Sequence, residues 1–236
     1  MARLWQRVAQ LLWRLALAFV LGSLALVLVF RAVPLPGSMV MAERKVQSWI
    51  TGEPLDIDYR WRGPEALSDA ARMAVIAAED QRFPTHGGFD FVEIRRALAA
   101  RLGGGRLRGA STLSQQTAKN VFLWSGRSWL RKGLEAWFTL LIEIFWGKQR
   151  ILDVYLNVAE WDRGVFGLEA AAQHYFGVPA SRLDRRQASL LAAILPSPLT
   201  RSAARPAPRV EQRSRWIRQQ MQNLGGARYL KGLADE

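Results

Sequence analysis

From Leu15 to Phe30 the chain carries no charged residue. Such a run has few places to go: a bilayer, a wholly buried helix, or a leader that is removed. Extended from Leu11 to Val33, with Arg14 and Arg31 snorkelling at the ends, it reaches roughly 34 Å as a helix at about 1.5 Å per residue, enough to cross a membrane. Trp5 and Trp13 suit the interface, and Arg3, Arg7 and Arg14 favour a cytoplasmic N-terminus with the bulk of the chain exported. The competing reading is a cleaved signal peptide. Its candidate cleavage residues, Val40-Met41-Ala42, lie well past the apolar run and beyond Pro34 and Pro36, and the run is long for a signal. The expectation is therefore a cytoplasmic stretch over 1–10 and an uncleaved single-pass anchor over 11–33.

The remainder of the chain is strongly basic. The formal net charge is +13, and it stays well above zero without the arginines of the anchor segment. A basic surface can face nucleic acid, anionic lipid or an anionic substrate. No nucleic-acid-binding motif accompanies the charge, so no nucleic-acid partner is expected. Cysteine is absent, which excludes a disulfide framework, and two histidines cannot build a His-rich metal site.

Residues 34–66 read as a linker and lead-in, broken by Pro34, Pro36 and Gly37, with a short apolar patch at 46–50 and an alternating, extended piece from Ile57 to Trp61. Helical periodicity dominates thereafter. Ser68 or Asp69 can cap a helix ending at Glu79, and Asp90 one from Phe91 to Leu102. Ser111 can open a helix through Leu123, and Ser128 a long one to Trp146. Gly147 interrupts, and further helices are expected over 149–158, 168–176, 185–195 and 210–224. The strand signal is poor. The fold class expected is one mainly α domain over 67–236. Arg205, Arg209, Arg213, Arg215 and Arg218 read as a solvated face.

Several motifs fail. Gly104 to Gly109 has phosphate-loop spacing, but Ala110 stands where lysine is required. There is no H-E-x-x-H, no serine followed three residues on by lysine, and no G-x-S-x-G.

The chemistry-bearing residues lie in five blocks. Glu79 to Gly88 offers a carboxylate pair, Glu79-Asp80, then Phe83, His86 and a sharp turn at Gly87-Gly88. Gly109 to Asn120 packs Ser111, Thr112, Ser114, Gln115, Gln116, Lys119 and Asn120 together, more polar than an amphipathic helix needs. Arg131, Lys132 and Glu135 share a helix face. Lys148 to Asn157 and Ala171 to Gly177 complete the set. Taken singly, a Glu-Asp pair at a helix end is usually solvated, and an Arg-Lys-Glu trio is usually a surface ion-pair cluster.

Together and in order, the blocks resemble the peptidoglycan glycosyltransferases, the monofunctional biosynthetic transglycosylases and the corresponding modules of bifunctional penicillin-binding proteins. The patterns E-D-x-x-F-x-x-H-x-G, G-x-S-T-x-[TS]-Q-Q-x-x-K-N, R-K-x-x-E and K-x-x-I-L-x-x-Y-L-N are intact, and with the fifth block they cover about residues 70–200. Departures are Val178 where lysine is frequent, Asp162 where glycine is more usual, and Gln187 for a commoner glutamate. None falls on a proposed catalytic group.

The resemblance implies a lysozyme-like, two-lobed helical fold and polymerisation of lipid II, in which a sugar hydroxyl displaces undecaprenyl diphosphate with inversion to a β-1,4 linkage. A sugar hydroxyl needs a base, the role it gives Glu79. A departing diphosphate needs cations more than a proton, which suits Lys119, Arg127, Arg131 and Lys132. Glu135 is implied as the second catalytic carboxylate, orienting those cations or helping to hold a divalent cation (Mg or Mn); no cofactor is otherwise required. Ser111, Gln115, Gln116 and Asn120 would hold sugar or phosphate. Asp80, Phe83, His86 and Thr112 complete the substrate-binding set, Asp80 and His86 by shaping the cleft. Partners implied are lipid II, the growing glycan strand, the membrane and cell-wall synthesis proteins. Those include a separate transpeptidase, since the chain has no motif for cross-linking. The setting implied is the cell inner membrane with a periplasmic catalytic domain. Among Trp129, Leu130, Trp137, Phe138, Leu141, Phe145 and Trp146, most are expected in the core and part in the outer leaflet. Two alternatives stay open: a lytic enzyme that cleaves glycan, and an inactive membrane scaffold.

Overall fold

The computed structural model describes residues 1–104, 111–126 and 128–233. It divides into two compact units, Met1–Pro34 and Leu35–Glu236. The first is a single helix, α1 (Ala2–Ala32), which is long and apolar enough to cross a membrane. It runs further toward the N-terminus than the 11–33 span because nothing between Ala2 and Leu11 breaks a helix.

In the second unit, helices α2 (Met39–Thr51), α3 (Asp69–Glu79), α4 (Phe91–Leu102), α5 (Leu113–Phe122), α6 (Trp129–Phe145), α7 (Gly147–Val158), α8 (Leu168–Phe176), α9 (Arg185–Ile194), α10 (Pro208–Asn223) and α11 (Ala227–Lys231) come in that order. The lead-in is more structured than its sequence suggests. Ser38 caps α2 by accepting from Met41 N at 3.3 Å, and Val40 and Met41 pack against Phe166. Residues expected to be linker thus belong to the compact unit: the apolar pair and the cap outweigh the nearby prolines.

The helices form two groups. α3 packs against α9, α10 and α11, while α5 packs against α2, α6 and α7. α3 is buried from Ala71 to Ala77 without a break. α3 and α9 pack together and both bury alanines, Ala188, Ala192 and Ala193 on α9, small side chains that let packed backbones approach closely. A small sheet sits beside these groups. β1 (Asp58–Tyr59) runs parallel to β3 (Val165–Phe166), and β2 (Glu160–Asp162) runs antiparallel to it, giving the order β1-β3-β2. β1 falls within the extended piece read from the sequence; β2 and β3 are too short to show a period.

Two departures from the family patterns acquire structural roles. Gln187 completes a capping box with Asp184 at the start of α9, a position where an amide serves as well as a carboxylate. Asp162 accepts a hydrogen bond from Tyr175 Oη at 3.0 Å, tying the sheet to α8.

The turn between β3 and α8 depends on Gly167. Its φ is +83°, and a Cβ there would lie 2.6 Å from the Asn157 carbonyl oxygen. Gly167→Ala is expected to cost at least about 2 kcal/mol, since strain and clash add. Thermal melting of the detergent-solubilised chain should show a clear drop in Tm.

Candidate active site

Glu79 is the last residue of α3, where the buried alanine helix stops. The chain then turns back through Phe83–Thr85 to Gly88. Three anchors hold this turn. Asp80 is buried and accepts from Leu113 N at 3.0 Å, placing a carboxylate at the N-terminus of α5, and from His86 Nε2 at 3.0 Å. Lys148 lies over the fully buried Phe83 ring, 4.7 Å from its centroid, donates to the His86 carbonyl and pairs with Glu143 at 2.8 Å. Gly88 has φ +86°, and a Cβ there would meet Thr139 Cγ2 at 2.7 Å, so α6 can sit against the turn only because the residue is glycine.

The Glu79 side chain is 16% exposed. Burial pushes its carboxyl above the usual glutamate range, against the opposing pull of the Gln116 hydrogen bond and the Arg213 charge. Gln116 Nε2 donates to Glu79 Oε2 at 3.1 Å, and Arg213 Nη2 lies 3.9 Å from Glu79 Oε1. Glu79 also lines a cleft of about 300 Å³ with Asp80, Arg82, Ser111 and Trp216.

The second block becomes α5. Thr112 is its N-cap and forms a capping box with Gln115, while Thr112 Oγ1 also donates to the Gly88 carbonyl at 2.6 Å. Gln116 and Lys119 project from one face of this helix, three residues and about 4.5 Å of axial rise apart. Lys119 lies in the field of the third block. Burial above all, and then the Arg131 and Lys132 charges, push its ammonium down, against the pull of Glu135. Glu135 itself is buried on α6. Arg131 Nη1 donates to Glu135 Oε2 at 2.6 Å, and Lys132 Nζ donates to Oε1.

These positions sort the residues singled out in the sequence. Glu79, Gln116, Lys119, Arg131, Lys132 and Glu135 are brought together around α5. Ser111 is exposed on the rim, and Asn120 is half-buried one residue beyond Lys119. Phe83, Thr112 and Gln115 are buried and engaged in packing or capping, and Asp80 and His86 pair with each other. The five support the site from beneath, and Asp80 and Thr112 also line the Glu79 cleft. Arg127 and the Gly109-Ala110 pair lie outside the described residues.

The metal option for Glu135 does not fit its surroundings. Both of its oxygens are taken by cations, and Lys119 adds a third positive charge, a setting that opposes a divalent ion. Among the described residues, the one group with three closely spaced potential ligands is Asp80, His86 and Asp90. Asp90 caps α4 through Val92 N and Glu93 N, so these carboxylates are already engaged as caps.

Some residues at the site carry no legible signal of their own. Arg213 comes from α10, read as a solvated face; it reaches inward to donate to the Ala78 carbonyl at 3.1 Å. Arg218 also turns in, to Ser189 and Ser214. Arg201, Arg209, Arg213 and Trp216 line a second cavity of about 440 Å³, which shares Trp216 with the Glu79 cleft. The fourth block, intact in sequence but without an obvious role, is a set of clamps: Lys148 to the turn after Glu79, Asp153 to Arg72 at 2.8 Å, Tyr155 to Gln116 at 3.2 Å, and Asn157 to both backbone groups of Arg62.

The helical domain thus sets a desolvated carboxylate beside one end of α5 and a lysine–arginine–glutamate set further along it. The Transglycosylase family model matches residues 55–222, and the chain belongs to this family. The chain is 65% identical over 217 residues to the biosynthetic peptidoglycan transglycosylase of Chromohalobacter salexigens, covering 92% of this chain and 93% of that protein. It is 64% identical over 219 residues to the Pseudomonas aeruginosa protein of that name, covering 93% and 94%. Against that of Pseudomonas putida strain W619 it is 60% identical over 228 residues, covering 95% and 97%. It is a peptidoglycan glycosyltransferase of the biosynthetic type, with the mainly α, lysozyme-like fold of its family.

Asp80→Ala removes both the anion at the start of α5 and the partner of His86. A stability loss of about 2–4 kcal/mol is expected, measured as a lower denaturant midpoint with unchanged m. A residue that only touched substrate would leave that midpoint in place.

Proposed function

We propose that the chain polymerises lipid II. The 4-hydroxyl of the acceptor's N-acetylglucosamine attacks the anomeric carbon of the donor's N-acetylmuramic acid, and Glu79 takes the hydroxyl proton. The anomeric C–O bond breaks, its electron pair leaves with undecaprenyl diphosphate, and the α linkage becomes β-1,4. Lys119, Arg131 and Lys132 neutralise the departing diphosphate, and Glu135 holds the last two in place. Arg127 joins them by its place in the sequence. Ser111, Gln116 and Asn120 contact sugar or phosphate. No step requires a metal.

The observation that carries this reading is the arrangement along α5. Gln116 touches the desolvated carboxylate, and one turn on Lys119 meets the Glu135 cluster. A carboxylate whose pKa is raised is a stronger base than a solvated one, and cations in a partly dry site act strongly on developing charge. The second basic cavity, with Arg201, Arg209 and Arg213, suits an acceptor that is itself anionic.

The same reading sets the chain in the cell inner membrane with its N-terminus cytoplasmic and residues 35–236 periplasmic. Trp129 is 93% exposed and Leu130 71% exposed, and α4 presents Phe91, Leu98 and Leu102 to solvent, as a domain working against lipid requires. Phe138, Leu141 and Trp146 are buried in the core. Cross-linking of the product falls to a separate transpeptidase.

Purified full-length chain should convert labelled lipid II into long glycan and leave preformed glycan intact. Glu79→Gln should lower turnover by roughly 10²–10⁴-fold without unfolding. Shortening of preformed glycan would point to a lytic enzyme instead, and inactivity of the native chain on both substrates to a scaffold.

A further inference from the structure

Tyr155 lies on α7, 2% exposed, and its hydroxyl is within 3.2 Å of Gln116 Oε1. Gln116 in turn donates through Nε2 to Glu79 Oε2. The three side chains come from three different helices, α7, α5 and α3. We propose that Tyr155 is a positioning residue that fixes the direction of the Gln116 amide and thereby favours the ionised form of Glu79. The effect on catalysis rests on Glu79 acting as the base; the effect on Glu79 itself does not.

Donors and acceptors decide the direction. An ionised Glu79 only accepts, so Gln116 must turn its NH₂ toward it and its oxygen toward Tyr155. Tyr155 must then donate. It can do so across the working pH range, because burial and the nearby Glu79 charge hold the phenol well above its ordinary value. A protonated Glu79 could instead donate to a flipped amide, whose NH₂ would then point at the Tyr155 oxygen. That arrangement strands the Tyr155 hydroxyl proton in the interior, because Gln116 Oε1 is the acceptor the hydroxyl uses in this structure. An unsatisfied buried donor is costly, so the flipped state is disfavoured. A protonated Glu79 must then take the Gln116 N–H on its carbonyl oxygen, a weaker bond than the charge-assisted one the carboxylate accepts, and the fixed amide favours the ionised form.

The other groups facing Glu79 do not supply this directionality. Arg213 from α10 and Arg201 from the segment before it favour the charged form through space, while Asp80 and burial oppose it. None of them constrains the amide. Gln116 without Tyr155 would be free to present either end to the carboxyl.

The test is a carboxyl titration of the detergent-solubilised full chain by ¹³C NMR, with glutamate labelled at Cδ and the Glu79 signal assigned by its loss in Glu79→Gln. Tyr155→Phe keeps the ring and removes the hydroxyl. It should raise the Glu79 midpoint by roughly 0.5–1 pH unit, the size a single neutral hydrogen bond can produce. Gln116→Ala, at a half-buried position, should raise it at least as far. Adding Tyr155→Phe to Gln116→Ala should move it no further. An unchanged midpoint in Tyr155→Phe, or equal increments in both backgrounds, would overturn the proposal. The acid limb of kcat/KM for lipid II polymerisation should move up with the midpoint. If the carboxyl titration shifts and the limb does not, the relay stands and Glu79 is not the base.

Discussion

Everything at this site depends on a carboxylate held out of water. Glu79 sits at the end of a helix buried on all sides, and burial is the largest influence on its protonation. A donor from α5 and a cation from α10 face it and oppose that influence. The rest of the second unit can be understood as the means of keeping that balance. The alanines of α3 let α9 press close, Asp80 anchors the chain to the start of α5, and Lys148 and Gly88 hold the return of the turn against α6.

Helix α5 joins the two halves of the chemistry. Its N-terminus is fixed twice, by its own capping box and by Asp80, and its polar face then places Gln116 beside Glu79 and Lys119 beside the Glu135 cluster. Because one helix carries both Gln116 and Lys119, the spacing between the contact to Glu79 and the contact to the basic cluster does not depend on a loop. Placing reacting groups on packed helices gives more precise geometry than loops do. Glu135 adds a further constraint: it spends both oxygens on Arg131 and Lys132, and so holds two long cationic side chains in one orientation.

Much of this is legible in the residues alone. Ser68, Asp90 and Ser128 announce the starts of α3, α4 and α6, because capping is local chemistry that short sequence windows record. The carboxylates and the basic cluster stand out because their residue types are unusual together. Tertiary packing decides the rest, and no short window records it. Arg213 looks like any solvated arginine until α10 folds across α3. Thr112 and Gln115 stand in a polar run, and their capping box shows only once α5 has formed. Tyr155 and Asn157 sit in an intact pattern, yet their partners, Gln116 and Arg62, lie 39 and 95 residues away. The lead-in helix is hidden by flanking prolines, and the short sheet by the brevity of its strands.

Whether Glu79 works as a buried base can be read from the pH dependence of kcat/KM for the native chain. A buried base loses its active, ionised form as pH falls through its raised pKa, so activity should fail at a pH above the ordinary glutamate value of about 4.3. The midpoint of that limb should coincide with the titration of the Glu79 carboxyl. A rate that stays level down to about pH 4, where an ordinary glutamate would already be largely protonated, would contradict a base raised by burial.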